Sequence, residues 1–451
     1  MIVHGEAHIM KRNHVIHTRI SKGMFIIITT VFLCSHLACG KEETGQVELV
    51  LPESVEEIEI GTQQDDTVEN TYEKTIEKDD QGTTINKQND LSQEEEIVVL
   101  ENETSEIEIV MVGDILLHDR VEESALNEAG EYDFSAIFEN TKTAIQEADL
   151  ALVNQEVILG GEELGVSGYP NFNAPFAVGD ALVDAGFDVV CHATNHALDR
   201  GKDGILNCIH FWQENYPDIQ VVGIHEKEEP GFAVYDIGGA QIAILNVTYG
   251  TNGISMPIDM PYAVDLMNEE QVLQDIKQAN EIADFVIVCP HWGTEYRLES
   301  DSMQKKWADL FLKNGVDLVL GTHPHVIEEI EWLEDEENGN RMLVYYSLGN
   351  FVNWTSGTGA GTANRMVGGM AKVNLSLGED GQWGISTYSI VPLVSHVEEG
   401  YGKVTTYFLE DYSEELVEQN EIKKQDETFS YSYILELCED VWGNVLCKND
   451  H

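Results

Sequence analysis

Basic residues are scarce in this sequence: 25 lysines and arginines stand against 82 aspartates and glutamates, and the formal net charge is −57 over 451 residues. Proteins that bind nucleic acid or anionic lipid without sequence preference use a basic surface that neutralises phosphates. The shortage argues against such a function, and no nucleic-acid partner is expected. The simplest interpretation of the acidity is a solvated surface.

Apolar runs near the N-terminus are short. Four basic residues precede the run Met24–Leu33, which is too short to span a bilayer but is typical of an export signal. Cys39 follows Leu37-Ala38 and resembles the lipidated cysteine of a lipoprotein cleavage box. We therefore predict a signal peptide or lipid anchor over residues 1–40 and a location at the extracellular face of the cell membrane. The protein would be attached to membrane lipid through Cys39, or else secreted.

Cysteine is also infrequent, with seven in the chain. Cys191 and Cys289 lie inside apolar, strand-like runs, so we expect them to be inert core residues. Cys438 and Cys447 either close a short C-terminal loop as a disulfide or remain free, and the spacing leaves both alternatives open.

The composition divides the rest of the chain into three parts. Residues 41–106 are polar and poor in aromatics, and 22 acidic residues face four basic ones over residues 41–108, so a disordered acidic linker is predicted. Strand-like and helix-like stretches then alternate, which predicts an α/β domain over residues 107–411. After Gly321 the pattern is mainly strand-like, and we expect a second, mostly antiparallel sheet there. Residues 412–451 form an acidic C-terminal tail that either packs on the domain or extends from it.

Side chains able to bind metal follow five of the predicted strands. The carboxyl ends of strands are where open α/β sheets place their sites. A Gly-Asp turn or an Asn-His helix cap alone would mean little, but five such elements at corresponding strand ends favour one shared site. Carboxylate, carboxamide and imidazole together suit one or two divalent ions of the manganese, zinc or iron type. The residues are Asp114, Glu156, Asn195, His196, His291, His323 and His325.

Six segments, in unbroken order, resemble the motifs of the poly-gamma-glutamate capsule biosynthesis proteins, the CapA family. That family is in turn similar to the calcineurin-like metallophosphoesterases, so the resemblance implies a two-sheet sandwich flanked by helices. The segments are GDILLHDR (113–120), VNQE (153–156), ATNHALDRG (193–201), CPHWGTEY (289–296), GTHPHVIEEIE (321–331) and YSLGNFV (346–352).

The resemblance also implies roles for individual residues. Metal ligands would be Asp114, Glu156 as a bridging carboxylate, Asn195, His291, His323 and His325. His196 would approach the leaving group as a catalytic residue. Asp199, three residues later, would orient it. Glu295, Tyr296 and Asn350 are expected to contact substrate, although Tyr296 could instead serve packing and Asn350 a turn.

The sequence departs from the metallophosphoesterase pattern at three positions. Leu116 stands where a histidine is usual, Glu156 replaces an aspartate, and Thr194 replaces a glycine, so one metal or two remain alternatives. The expected function is capsule synthesis or export at the cell surface, with a metal-dependent hydrolase site for a glutamate polymer or a phosphorylated substrate. The alternatives are a non-catalytic accessory subunit that organises membrane-bound synthase and export subunits, and a secreted scavenging phosphatase.

Overall fold

The computed structural model describes residues 106–354, 356–400 and 402–446. The predicted signal peptide with Cys39, the acidic linker up to residue 105, and Cys447 lie outside these ranges. Among the described helices, none combines the length and the apolar character that a membrane span requires.

Strands and helices alternate through most of the described chain. The strands are β1 Glu106–Ile115, β2 Leu150–Asn154, β3 Val189–Cys191, β4 Gln220–Val222, β5 Phe232–Ile237, β6 Ala240–Thr248, β7 Phe285–His291, β8 Leu318–Leu320, β9 Ile330–Glu334, β10 Arg341–Tyr345, β11 Asn350–Val352, β12 Val367–Leu377, β13 Trp383–Val397 and β14 Val404–Phe408. The helices are α1 Asp119–Ala125, α2 Ser135–Phe138, α3 Lys142–Glu147, α4 Ala177–Ala185, α5 Gly201–Asn215, α6 Glu269–Ile282, α7 Ser302–Lys313, α8 Glu414–Gln419 and α9 Tyr431–Trp442.

The strands form two sheets. One has the order β14-β13-β12-β1-β2-β3-β4, with β11 paired to the end of β1, and the other has the order β5-β6-β7-β8-β10-β9. The runs β1 to β4 and β6, β7, β8, β10 are parallel. The mixed α/β architecture with two sheets agrees with the sequence-based prediction.

The predicted composition of the second sheet is wrong. The antiparallel strands β12, β13 and β14 do not form a sheet of their own; they extend the first sheet, because β12 pairs antiparallel with β1 over seven residue pairs. β9 and β10 join β8 in the second sheet, in which most neighbours are parallel. Local alternation predicts that a segment is extended, but the edge with which it pairs depends on contacts far away in the chain.

Alternate residues of β7 face two different cores. Phe285, Ile287 and Cys289 belong to the core between the sheets, where the Cys289 sulfur lies 3.8 Å from the Met111 sulfur of β1. Val286 and Val288 face the other way and pack with residues of α6 and α7. Because both faces are covered, the strand is apolar from Phe285 to Pro290 rather than alternating. Each such buried side chain contributes about 1.5–3 kcal/mol.

Helix α7 begins where a capping box fixes its first turn. The Asp301 carboxylate accepts hydrogen bonds from the backbone N–H groups of Met303 and Gln304, and the Gln304 side chain accepts one from the Asp301 backbone. Two backbone donors that the helix would leave unpaired are satisfied in this way. The helix is thereby anchored next to the 322–328 segment, because Gln304 also donates to Glu328.

The segment predicted as a C-terminal tail packs against the domain as far as residue 446. Helix α9 buries Ile434, Leu437, Cys438 and Trp442, and the Trp442 indole N–H donates to the Glu328 carbonyl at 3.1 Å. Cys438 is buried in this helix, and Cys447, its possible disulfide partner, lies outside the described residues. Cys191 and Cys289 are buried in the core, as predicted.

Candidate metal centre

Strand β1 carries Asp114 to the middle of the site. The preceding residue is Gly113, whose backbone lies against Gly349, just before β11. A side chain does not fit there, because a Cβ would lie 1.9 Å from the Gly349 carbonyl oxygen. The Asp114 Oδ1 accepts a hydrogen bond from Asn154 Nδ2 at 2.8 Å. Its Oδ2 lies 3.0 Å from His325 Nδ1. The carboxylate is fully buried and is therefore held from two sides.

Glu156 follows β2 and is the residue of the site whose hydrogen bonding is least complete. Its side chain is fully buried, and neither carboxylate oxygen has a hydrogen-bond partner. Its Oε1 lies 3.7 Å from His291 Nε2 and 3.5 Å from His325 Nε2. Burial raises the pKa of Glu156 well above its ordinary value, although the His325 charge opposes the shift. An unpaired buried carboxylate is costly unless a cation compensates it.

Three histidines approach Glu156 from the second sheet. His291 is the last residue of β7, and His323 and His325 follow β8. The ring centroids of His291 and His323 are 4.8 Å apart, and those of His323 and His325 are 5.6 Å apart. Burial and the neighbouring imidazoles hold the pKa values of His291 and His323 well below the ordinary histidine value, so both rings are neutral. Neutral imidazole is the form that binds metal.

His325 differs from the other two because it faces both carboxylates. Burial alone would lower its pKa, but the charges of Glu156 and Asp114 outweigh that effect and raise the pKa of His325 to about 9. The imidazole retains a proton between two acids. Metal binding displaces such protons, which couples metal affinity to pH.

Asn195 completes the set from the loop after β3. Its Oδ1 lies 2.9 Å from His291 Nε2. The loop that carries Asn195 is tied to both sheets, because Ala193 N–H donates to Asn246 Oδ1 at 2.6 Å and Asn246 Nδ2 donates to the Cys289 carbonyl. Asn246 lies on β6, so one buried amide fixes the relative position of the two halves of the site.

Two groups of donor atoms, with Glu156 in common, lie close enough to hold metal ions. One group is Glu156, His291 and His323; the other is Asp114, Glu156 and His325; within each group the donor atoms lie within 4.8 Å of one another. The unpartnered atoms Glu156 Oε1 and Oε2, Asn154 Oδ1 and His323 Nδ1 are buried in the same region. Buried polar atoms are normally satisfied. The residues present therefore fit one or two divalent cations, with Glu156 in the shared position.

The backbone around the centre is strained. Among the residues that the structure describes, the non-glycine residues with positive φ are Asn252 (51°), Tyr296 (65°), His323 (98°) and His325 (59°). His323 and His325 are candidate ligands, Asn252 contacts Asn195 and His196, and Tyr296 N–H donates to the Pro324 carbonyl at 2.7 Å. Such conformations cost about 1–3 kcal/mol each and concentrate at functional sites.

His196 and Asp199 form a pair beside the ligands. His196 Nδ1 lies 2.7 Å from Asp199 Oδ2, which also accepts a hydrogen bond from Phe172 N–H at 2.7 Å. The Phe172 ring packs edge-on against the imidazole at 4.6 Å. Both side chains are nearly inaccessible, with exposures of 8% and 1%. The imidazole is therefore held in one orientation, with Nδ1–H given to Asp199.

Of the three predicted substrate contacts, two lie at the rim of the site. Glu295 and Tyr296 are exposed, and the Tyr296 ring centroid is 6.1 Å from that of His325. Asn350 differs from them because it is fully buried. Its Oδ1 lies 3.1 Å from His325 Nδ1, and its Nδ2 donates to the carbonyls of His325 and Arg365. Asn350 thus contacts His325 from inside the protein, and its contact with substrate stays a prediction.

The structure adds site residues that sequence reasoning missed. Asn154 donates to Asp114 and lies 3.4 Å from His291 Nδ1, and Thr322 Oγ1 lies 3.1 Å from the same nitrogen. The Tyr249 ring packs against His323 at a tilt of 43°, with centroids 4.6 Å apart, and Asn252 contacts Asn195. Asn154 and Thr322 lie within the six motifs, each at the end of a predicted strand, and this position could have indicated a role at the site. For Tyr249 the only signal was its place directly after an apolar strand.

A buried carboxylate and imidazole centre at the strand ends of a two-sheet α/β domain defines a candidate divalent-metal protein. Residues 108–355, more than half of the chain, match the model of the family described as bacterial capsule synthesis protein PGA_cap, and the chain belongs to this family. This result confirms the resemblance that the motifs suggested.

Two relatives carry related names. The chain is 27% identical over 269 residues to the capsule biosynthesis protein CapA of Bacillus anthracis, covering 57% of this chain and 63% of that protein. It is 31% identical over 179 residues to the PGA biosynthesis protein CapA of Bacillus subtilis (strain 168), covering 39% and 45%. The chain thus matches less than two thirds of the length of either relative.

Solved structures give weaker similarities. The NAD nucleotidase of Haemophilus influenzae is 11% identical, with a TM-score of 0.39 over 77% of this chain and 64% of that one. The 5'-nucleotidase precursor from Thermus thermophilus is 14% identical, with a TM-score of 0.38 over 74% and 59%. Scores this low add nothing to the argument about the site.

Proposed function

We propose that this protein is a cell-surface, metal-dependent hydrolase with a phosphoesterase-like site that acts in poly-gamma-glutamate capsule synthesis or export. The observation that carries the proposal is Glu156, a fully buried carboxylate without a hydrogen-bond partner that is common to both groups of donor atoms. Buried polar groups are normally paired, and in this carboxylate neither oxygen is. A cation between the acids and the imidazoles accounts for the arrangement.

The proposed ligands are Asp114, Glu156, Asn195, His291, His323 and His325, which would hold one or two ions of the manganese, zinc or iron type. When bound, such a cation supplies Lewis acidity toward a carbonyl or phosphoryl oxygen. The residues around the ligands have other tasks. Asn154 and Thr322 contact the Nδ1 atom of His291, and Asn350 contacts the Nδ1 atom of His325. They fix the orientation of the rings.

His196 is the proposed proton donor to the leaving group. Because Asp199 accepts Nδ1–H, Nε2 is the ring nitrogen that remains for proton exchange. Asp199 is in turn held by the Phe172 backbone, so the pair does not need to reorganise during the reaction. General acid catalysis by a positioned side chain contributes about 10²–10⁴-fold in rate.

The substrate class follows from the family and from the names of the relatives. Those names refer to capsule and PGA biosynthesis, so we propose a γ-glutamyl polymer or a phosphorylated substrate of its assembly. Placement at the extracellular face of the membrane is proposed from the basic, apolar and Cys39-containing N-terminal pattern. Membrane-bound synthase or export subunits are the proposed partners.

The test uses the full chain reconstituted with manganese, zinc or iron and assayed on a γ-glutamate polymer and on a generic phosphodiester. We expect metal-dependent turnover that Glu156→Gln abolishes and that His225→Ala, outside the site, leaves intact. Turnover of small phosphoesters without any capsule phenotype would instead indicate a scavenging phosphatase. Stoichiometric metal without turnover, together with normal capsule production by the Glu156→Gln variant, would indicate the accessory role.

A further inference from the structure

A separate cavity of about 240 Å³ adjoins the candidate metal centre on the side of His325. Its walls include Leu116, His118, Tyr169, Tyr296, Asn353 and Arg365. Leu116 occupies the position at which the metallophosphoesterase pattern has a histidine. The cavity is therefore next to the ligands without being formed mainly by them.

Arg365 has a defined position in this cavity. Its guanidinium carbon lies over the Tyr296 ring, 3.6 Å from the ring centroid, in a cation–π contact. A guanidinium carries its N–H donors in a planar arrangement that matches a carboxylate or phosphate. Tyr296 itself has positive φ and is tied to the Pro324 carbonyl. The aromatic platform is thus fixed by the same loop that supplies His323 and His325.

A second connection joins Arg365 to the metal centre. The fully buried Asn350 donates to the Arg365 carbonyl at 2.9 Å and to the His325 carbonyl at 3.0 Å. One amide therefore sets the distance between a candidate ligand and the backbone of the arginine. Such a linkage is expected where two groups must act on one bound molecule.

The charge around the cavity is unusual for this protein. Residues 109–451 contain 17 basic and 59 acidic residues, yet an arginine lies here beside His325. His118, on the same wall, adds no charge of its own, because burial and the neighbouring His325 lower its pKa to about 4. Glu295 is an acid at the exposed rim. A local cation in an acidic protein favours a small, specific anionic group over a general attraction for polyanions.

We propose that this cavity is an oxyanion subsite in which Arg365 binds an acidic group of the substrate, and that this group is the α-carboxylate of a γ-linked glutamyl unit. The proposal rests on the proposed function, since the capsule polymer repeats a free carboxylate beside every amide bond. A phosphate would make the same contacts, so the experiment has to separate the two sources. Arg365 is then a specificity-determining residue, separate from the ligands.

The experiment measures binding by calorimetry to the full, metal-loaded chain, with a γ-linked glutamate oligomer and with inorganic phosphate as probes. We expect saturable binding of the oligomer that Arg365→Ala weakens about 10- to 100-fold. Arg365→Lys should recover part of the affinity, because lysine keeps the charge but loses the planar fork. Arg297→Ala removes an exposed arginine that follows Tyr296 in the chain but is not among the residues lining the cavity, and it should change nothing.

Equal affinity of the wild type and Arg365→Ala for both probes would overturn the subsite. Binding of phosphate but not of the oligomer would overturn the assignment to a glutamyl carboxylate. Metal content and the unfolding temperature of each variant show whether a loss reflects damage to the fold. Repeating the titrations in the Glu156→Gln variant separates this proposal from the proposed hydrolase activity. If Arg365→Ala weakens binding in that variant too, the subsite is supported even when no turnover is detected.

Discussion

Two histidine clusters in this molecule combine imidazole with carboxylates but differ in burial and in how their polar atoms are paired. In the candidate metal centre, both Glu156 oxygens and His323 Nδ1 have no hydrogen-bond partner. In the second, which we call the His225 cluster (His225, Glu229 and Asp265), both ring nitrogens face a carboxylate. The distances are 3.3 Å from Nδ1 to Glu229 and 2.7 Å from Nε2 to Asp265.

The difference shows where a cation is needed. The His225 cluster lines a cavity of about 660 Å³ and is acidic, yet both of its histidine nitrogens are paired, and its acids are exposed (Glu229) or half-buried (Asp265). Of the two clusters, the fully buried centre around Glu156 is the one left with unpaired atoms. Cavity size and acidity therefore do not single out the metal centre, whereas a buried carboxylate with both oxygens unpaired, beside imidazoles, does.

The strongest test of this comparison removes one acid from each cluster and measures the bound metal. Glu156→Gln takes away the carboxylate common to both groups, so we expect metal affinity to fall by more than about 100-fold, since loss of outer hydrogen-bond partners alone costs about 10- to 100-fold. Asp265→Asn should retain the wild-type stoichiometry. Elemental analysis after dialysis measures both; equal metal loss in the two variants would contradict the account.

The two histidine–aspartate pairs provide a second test, because each has a separation of 2.7 Å. Asp199→Asn should misorient His196 and lower kcat, and His196→Ala should lower it by about 10²–10⁴-fold. Neither change removes a proposed ligand, so metal content should stay constant. The corresponding variant Asp265→Asn should leave kcat unchanged, and a comparable loss there would mean that the position of the pair beside the ligands is irrelevant.

Asn350 tests whether buried support outside the ligands matters. Asn350→Ala deletes the amide that holds the His325 ring and the Arg365 carbonyl. We expect a loss of about 10- to 100-fold in metal affinity, read by competition with a fluorescent chelator. Asn280→Ala provides a matched control, because Asn280 likewise donates to two backbone carbonyls, at the exposed end of α6. If the two variants retained equal affinity, Asn350 would have no role at the centre.

The smallest effect concerns stability at the His225 cluster. Burial lowers the pKa of His225, but Asp265 and Glu229 outweigh it and the net shift is upward. A raised pKa in the folded state means that the stabilisation is complete below the unfolded value of about 6.5 and is lost as pH rises through the folded value. Wild type should therefore lose stability as the pH rises above about 6.5, a loss that His225→Gln does not show. Denaturant unfolding of the metal-loaded proteins at each pH measures it, and identical pH profiles would contradict the assignment.

Sequence reasoning reached the strands and the ligands for the same reason. Apolar runs such as Phe285–Pro290 are extended wherever they pair, and a polar side chain directly after one must lie at the sheet edge. It failed for β12, whose pairing with β1 joins residues more than 250 positions apart. It also did not predict that Asn350 is buried, because burial and hydrogen-bond partners are set by the packed structure and not by the residue type.

The same limit explains the cavity beside His325. Arg365 and Tyr296 are distant in the chain, and nothing local to either predicts that they stack. The positive φ values at His323 and His325 are likewise a product of the assembled site, since the His-x-His spacing alone suggests extended backbone with both rings on one side.

The most direct measurement is anomalous diffraction from crystals grown with excess manganese or zinc, recorded at the absorption edge of that metal. We expect one or two peaks within about 2.0–2.3 Å of donor atoms of Glu156 and of His291, His323 or His325, and none at the His225 cluster. A structure at the same metal concentration with no peak beside Glu156, or with its peak at Asp265, would contradict the claim that the unpaired buried carboxylate marks the metal centre.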